Sequence, residues 1–403
     1  MKICHLYDGH EMVAPGQGSV PTVVYYLASS LAKAGHEVMV VERKWKGLAK
    51  LELREGINFV RVELKMGSNI PWTEVPYEQV KTPYGLVKFF ASRTEFGLRI
   101  LKLLKQTECD IIHVHLPFAS TILVNLNKKL RDKMIYTAHI GEERKRFALD
   151  SSAPLTFKLF SPDLYLMKRV KKSIVLNESL KKKLIERGIS EERLDVIPNG
   201  INVEDFNVSE RAIEKIKAKY GLTGIVIMFA GTITPRKGVL QLIRAGEILK
   251  QKDILFLIVG NLSLDKEYAQ KVIKYSKDSG VNVRFTGFVP YNDLKALYSA
   301  CDIFVLPSFE EGQPIVLLEA MASGKPLIGS NVGGISMMIR DGWNGFLIEP
   351  GNEKKLADKI RYLVENEDER KRMGKNSRKL AKEEFDWSKI AERYLRIYEK
   401  VAR

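Results

Sequence analysis

"KICHLYDGHEMVAPGQGSVPTVVYYLASSLAKAGHEVMVVE", residues 2–42, decides the fold. The apolar run at 2–7 reads as a strand, and a Gly- and Pro-containing loop follows at 9–21. A helix is expected over 22–35 and a second strand over 36–42. Strand, glycine loop, helix, strand is a βαβ unit, and near-continuous apolar strands belong to a parallel sheet covered on both faces. Moving outward, "DIIHVH" (110–115), "MIYTAH" (134–139) and "KSIVLN" (172–177) supply further short strands, each ending in a polar or ionisable residue. After "LDVIPNGINVEDFN" (194–207) the pattern restarts, with strands expected at 224–231, 254–260, 283–287, 302–307 and 326–330 and helices between them. The expectation is an α/β chain of two Rossmann-like, doubly wound parallel-sheet domains, 1–205 and 206–386, facing each other across a cleft. The segment 387–403 closes the chain. Its Ile390, Tyr394, Ile397, Tyr398 and Val401 fall near one helical face, which predicts a docked helix.

Size and composition agree with that plan. A chain of 403 residues exceeds what one hydrophobic core usually serves, and 45% hydrophobic with 28% charged residues is a globular balance. No apolar run is long enough to cross a bilayer, and "MKICHLYDGHE" lacks a secretory signal, so a cytoplasmic protein is expected. Cys4, Cys109 and Cys301 are far apart in strand-like surroundings, which fits buried thiols and no metal cluster. The net charge of +16 calls for an anionic partner or a solvated surface. Basic clusters at 128–133, 142–146, 166–172 and 179–188 fit solvated helix faces, anion steering, or peripheral contact with an anionic membrane. Nucleic acid is disfavoured, since no aromatic stacking platform or base-reading module accompanies them.

In open parallel sheets ligands bind beyond the carboxyl ends of the strands. Four segments lie there. In "GQGSVP" (16–21), Gly18 and Ser19 permit close approach of a ligand to helix amides, or simply make a tight turn. In "AGTITPRKG" (230–238), Arg236 and Lys237 beside helix amides suit a diphosphate, yet the segment is neither a Walker loop nor a dinucleotide fingerprint. In "EEGQPIVLLEAMASGKP" (310–326), Glu311 sits in the loop before a helix expected to start near Pro314 or Ile315. Glu319 falls among apolar residues and needs hydroxyl, amide or cation partners, which a ribose diol could supply. The fourth, "NVGGIS" (331–336), offers paired glycines. His115 and His139 stand at strand ends of the first domain, each open to a structural reading, with no spacing that marks a zinc pair.

These residues resemble glycosyltransferase family 4, retaining enzymes with the GT-B fold. "EGQPIVLLE" is similar to that family's pair of glutamates eight residues apart, and "VIPNGIN", "FTGFV", "LYSACDIFVLPS", "NVGGI" and "GWNGFLIEPGN" follow in the family's order. The resemblance implies a hexosyltransferase using a nucleoside diphosphate sugar, with no cofactor and no metal required. It implies catalytic roles for Glu311, Lys237, Arg236 and His139. Donor contacts would come from Gly18, Ser19, Gly231, Thr232, Arg236, Lys237, Gly260, Gly312, Gln313, Pro314, Ile315, Val316 and Glu319. Glu319 would hold the donor ribose, Glu311 would lie near the transferred sugar, Lys237 would meet the diphosphate, and the closing helix would pack back onto the N-terminal domain. The N-terminal domain, through loops at 66–90 and 141–165, would take a glycan, lipid-linked, or small sugar or polyol acceptor. Four residues at three places depart from the family pattern: Thr232 stands where an arginine is common, Ser19 where a second glycine is common, and Ser336–Met337 where Pro-Glu is common. Arg236 is expected to replace the missing cation. The competing readings are a catalytically silent sugar-nucleotide-binding protein and a nucleotide-sugar epimerase on the same fold.

Overall fold

The computed structural model describes residues 1–71, 73, 82–139, 161–251, 253–263 and 265–403. The chain forms two compact units, Met1–Gly200 with Trp387–Arg403, and Ile201–Asp386. Each is built on one sheet flanked by helices.

The first unit's strands are β1 (Lys2–Leu6), β2 (Glu37–Arg43), β3 (Leu51–Arg54), β4 (Ile57–Val62), β5 (Ile111–Val114), β6 (Met134–Thr137), β7 (Lys172–Val175) and β8 (Leu194–Val196). Their spatial order is β3-β4-β2-β1-β5-β6-β7-β8. All neighbours are parallel except the β3–β4 hairpin, which is antiparallel. That hairpin is absent from the sequence expectation. Its two-residue turn places Glu55 at φ 51° and Gly56 at φ 78°, the paired positive angles that match strand twist. Buried Arg61 clamps it, reaching Glu42 at 2.8 Å and Glu52 at 2.7 Å.

Strand alternation gives the central strands two unlike faces. Cys4, Leu6, Ile112, Val114, Met134 and Tyr136 enter an apolar core. His5, His113, His115 and Thr137 project on the other side and are fully buried. The closing helix, Trp387–Ala402, packs there with Ile390, Tyr394, Ile397, Tyr398 and Val401 all buried. Trp387 stacks on Tyr26 of the helix Ser19–Lys33 at 6.3 Å.

The second unit carries β9 (Ile225–Ala230), β10 (Ile254–Val259), β11 (Val283–Gly287), β12 (Ile303–Leu306), β13 (Leu327–Ser330) and β14 (Gly345–Ile348). Their order is β11-β10-β9-β12-β13-β14, parallel throughout. Strand order reverses between β9 and β12, which makes their carboxyl ends the topological switch point. The edge strand β14 and the helix Glu367–Leu380 add to the elements expected from sequence. Cys4, Cys109 and Cys301 are free and buried. Among the described residues no helix is long and apolar enough to cross a membrane.

Candidate functional site

The switch point brings two sequence-distant loops together. After β9 the chain makes a short turn, Pro235–Lys237, and Gly238 at φ 68° opens the helix Val239–Leu249. A Cβ at Gly238 would lie 2.1 Å from the carbonyl oxygen of Pro307, so only glycine lets the loop after β9 pass this close to the loop after β12. The Phe309 amide donates to the Arg236 carbonyl at 2.8 Å. Lys237 Nζ thereby reaches Glu311 Oε1 at 2.5 Å, and Ser308 Oγ donates to the same oxygen at 2.7 Å. Arg236 Nη1 donates to the Glu310 carbonyl at 2.9 Å and stands 3.7 Å from Glu311 Oε2. Glu311 is buried, so its charge is balanced by these two cations. The helix after it begins at Ile315, with Pro314 at its cap and no side-chain cap. Gly312, Gln313, Pro314 and the first helical residues, Ile315 and Val316, therefore form the rim next to the ion pair.

Glu319 lies one turn further into that helix, buried. Tyr298 of the helix Tyr291–Ala300 donates its hydroxyl to Glu319 Oε2 at 2.8 Å. Burial pushes the Glu319 carboxyl up to about 7, while hydrogen bonds from Tyr298 and Tyr291 pull in the opposite direction. The hydroxyl partner that the sequence demanded is thus first of all a tyrosine of the protein. Neither tyrosine was among the sequence candidates.

The glycines divide by what they approach. In "NVGGIS" the near neighbour is the protein's own backbone: a Cβ at Gly333, at φ 50°, would lie 1.8 Å from the Glu311 carbonyl oxygen, and one at Gly334 would lie 2.3 Å from that of Gly312. The Gly334 amide donates to the Gly312 carbonyl at 2.8 Å. This loop buttresses the Glu311 loop from behind. Gly333→Ala should force that loop outward, lowering stability by about 1–3 kcal/mol and turnover with it; thermal denaturation and kcat of one preparation check both effects. Gly260 has a similar packing cause, since its Cβ would meet the Gly231 carbonyl oxygen at 1.8 Å where β9 and β10 end. Gly231 and Thr232 follow β9 directly, and Thr232 is half-buried.

In the first unit, Gly18 at φ 124° caps the helix that starts at Ser19, so Ser19 belongs to the helix and not to the loop. His139 lies just beyond β6 and is buried. Reading His115 and His139 as separate residues misses their relationship: His115 Nδ1 meets His139 Nε2 at 3.2 Å, and His115 Nε2 meets His5 Nδ1 at 3.0 Å. His113 joins the stack with its ring centroid 4.2 Å from that of His115. It bonds Thr137 Oγ1 at 2.7 Å and the Tyr398 hydroxyl at 2.6 Å. His5 and His113 were not candidates from sequence. Alternation within "IIHVH" and the register of β1 beside β5, with His5 opposite His113, would have found them. Ring nitrogens of His5, His113 and His115 lie within 4.8 Å of one another, a spacing that invites a metal. Both nitrogens of His113 and both of His115 are committed to hydrogen bonds, so the group is a bonded stack and not an open ligand set.

The expected acceptor loops fall partly outside the described residues, which omit 72, 74–81 and 140–160. Of the remainder, Met66, Ile70, Tyr84, Val87 and Phe90 are exposed.

Comparison with known proteins places this geometry. Residues 20–205 match the model of Glycosyltransferase Family 4, and residues 212–380 match that of Glycosyl transferases group 1. The chain is 30% identical over 300 residues to glycosyltransferase MJ1178 of Methanocaldococcus jannaschii, covering 73% of this chain and 76% of that protein. It is 26% identical over 398 residues to the D-inositol 3-phosphate glycosyltransferase of Corynebacterium glutamicum, covering 95% and 93%. In fold it is similar to sucrose-phosphate synthase of Thermosynechococcus elongatus, with a TM-score of 0.77, 20% identity, and coverage of 100% and 99%. The paired Rossmann-like units are the GT-B architecture. The chain therefore belongs to the GT-B glycosyltransferases and is related to family 4 and group 1, enzymes that transfer a sugar from a nucleoside diphosphate sugar to an acceptor hydroxyl.

Proposed function

We propose that the protein is a retaining hexosyltransferase whose second unit, Ile201–Asp386, binds the donor and whose first unit binds the acceptor. The observation that carries this reading is the Lys237–Glu311 pair, assembled from two loops at the switch point where an open parallel sheet takes its ligand. Lys237 and Arg236 meet the diphosphate, where negative charge grows as the glycosidic bond breaks, so preorganised cations lower the barrier. Glu311 orients them and stands beside the transferred sugar. Its Oε1 already accepts from both Lys237 and Ser308, which argues against a free nucleophile and favours front-face attack assisted by the leaving phosphate. Glu319 accepts from the donor ribose, and Gly231, Thr232, Gly260 and the 312–316 rim close around the nucleotide. Gly18 and Ser19 border donor or acceptor, and His139 faces the sugar.

A small sugar phosphate or polyol is the favoured acceptor, because the relative from Corynebacterium glutamicum is named for D-inositol 3-phosphate and this chain carries a net charge of +16. A lipid-linked acceptor presented at the cytoplasmic membrane surface is the second case, supported by the exposed apolar residues Tyr84, Val87 and Phe90. Turnover screens of nucleoside diphosphate sugars against glycans, polyols and sugar phosphates test the reading, with anomeric analysis of the product. Inverted product, or turnover only as donor isomerisation, would overturn it.

Arg236 compensates for Thr232. Arg236→Ala should raise the donor KM about tenfold, the value of one charge-assisted contact, with little change in stability because the guanidinium is only half-buried. Unchanged KM and kcat would remove Arg236 from the phosphate site.

A further inference from the structure

The helix Glu367–Leu380 and the π-helical turn Ala381–Phe385 that follows it carry cations of two kinds. Those of the first kind are satisfied by the protein. Lys371 Nζ meets Glu367 Oε1 at 2.6 Å, Arg372 Nη2 meets Glu369 Oε2 at 2.7 Å, and Arg370 Nη1 donates to the Leu363 carbonyl at 2.7 Å. Lys375, Lys379 and Lys382 are of the second kind: exposed, and in no ion pair with a described residue. The nearby Glu384 goes to Arg340 instead, at 2.5 Å.

Their spacing carries a cost. Lys371 and Lys375, Lys375 and Lys379, and Arg378 and Lys382 are four residues apart, so they share one face, where like charges destabilise a helix. A merely solvated face escapes that cost by alternating signs, as Glu367 and Lys371 do one turn earlier. The same face also lines a groove. Gly374 lets the helix meet another segment backbone to backbone, since a Cβ there would lie 2.2 Å from the Gly324 carbonyl oxygen. Gly324, at φ 68°, turns the chain after the helix Ile315–Ala322. Half-buried Arg378 is fixed in the lining by donating to the Ala322 carbonyl and to Asn207 Oδ1. Gly324, Lys371, Lys375, Arg378, Lys379 and Lys382 line an open groove of about 580 Å³, with no carboxylate among them.

We propose that this groove binds a soluble oligophosphate, an anion with several phosphoryl groups in one short chain. Lys375 to Lys382 spans about 10 Å along the helix axis, so four cations face a short length of ligand. A single carboxylate would leave most of them unmatched. The lining is concave and holds one cation half-buried, whereas a membrane surface is flat and is met by projecting side chains. The lysines supply point charges, and Arg378 keeps N–H donors beyond the two that it has committed. Gly324 follows the carboxyl end of the Glu319 helix, while the rim residues Ile315 and Val316 begin it. The site is thus separate from the donor groups and independent of the donor and acceptor assignments.

The test is titration calorimetry of the full-length protein with inorganic tripolyphosphate, comparing wild type with Lys375→Gln, Lys379→Gln and Lys382→Gln combined. Losing three charge-assisted contacts should weaken binding at least about a hundredfold, and added salt should weaken it in the wild type. Arg236→Ala, the donor-site control, should leave binding in the groove intact. The triple variant should melt no lower than wild type, because it removes like-charged neighbours. If its melting temperature falls, Lys375→Gln alone carries the comparison, with a loss of about tenfold expected. A wild type that does not bind tripolyphosphate, or a triple variant that binds it as tightly as wild type, overturns the proposal. Sedimentation with vesicles of phosphatidylcholine and phosphatidylglycerol is the second arm. Retention that depends on the three lysines would give the surface to lipid headgroups and overturn the soluble ligand, and its absence is the expected result.

Discussion

Replacing Lys237 with alanine should lower kcat by roughly a hundredfold to a thousandfold, the usual loss when one preorganised group opposing transition-state charge is removed. The same substitution should destabilise the protein, and the cause is separable. Glu311 is buried, and Lys237 is the partner that approaches it most closely, at 2.5 Å. Taking the ammonium away leaves a carboxylate in a low-dielectric pocket with only the more distant Arg236 and the Ser308 hydroxyl. Breaking a buried pair on one side typically costs about 3–5 kcal/mol. Adding Glu311→Gln to Lys237→Ala should restore much of the melting temperature, because the uncompensated charge disappears. It should restore none of the turnover. If thermal stability and kcat recovered together in the double variant, Lys237 would be acting through folding alone and the diphosphate role would fall.

Glu319→Gln should move stability and activity in opposite directions. The Glu319 carboxyl titrates near 7 in the fold against an ordinary value of 4.5. Between those values the folded protein binds more protons than the unfolded chain, so stability declines as pH rises from about 4.5 to about 7 and stays low above that. The full shift corresponds to about 3 kcal/mol at alkaline pH. An uncharged glutamine keeps an oxygen for the Tyr298 hydroxyl and has no such penalty. Denaturation of the variant at pH 8 should therefore show a gain approaching that size, which vanishes near pH 4. Donor binding should weaken about tenfold or more, since a ribose hydroxyl bonds a carboxylate more strongly than an amide. A variant less stable at pH 8 would contradict the burial argument. A variant with unaltered donor KM would contradict the ribose assignment.

Much of this was legible in the sequence because parallel sheets and their strand ends leave strong local marks. The βαβ signature at the start, the restart after residue 207 and the loop position of Glu311 needed only apolar runs and glycines. The β3–β4 hairpin escaped because Leu51 and Leu53 are exposed, so its alternation points the apolar side outward. Strand β14 is only four residues long and has half-buried Leu347 in the middle, too little pattern to stand out. The site was legible as a set of positions but not as a set of partners. Lys237 and Glu311 are 74 residues apart, and only strand order shows that their loops meet. Nothing in the pattern of its helix sets Tyr298 apart as a partner for a carboxylate. The glycine pair at 333–334 was readable as a close approach, but composition does not say whether the approaching group is a substrate or the Glu311 backbone. The histidines were hidden by the same limit, because adjacency across strands is a property of register and not of spacing.

The closing helix has a consequence for how the protein is made. Tyr394 and Tyr398 cap the face that carries His113 and Thr137, yet they are synthesised only after the whole of Ile201–Asp386. On a ribosome, the first two hundred residues wait on the order of tens of seconds with that polar face uncovered. The second unit can complete itself in the interval, since every strand of its sheet lies between residues 225 and 348. Chains cut short before residue 387 would thus hold a finished second unit beside an unsealed first one, a state that proteolysis can recognise.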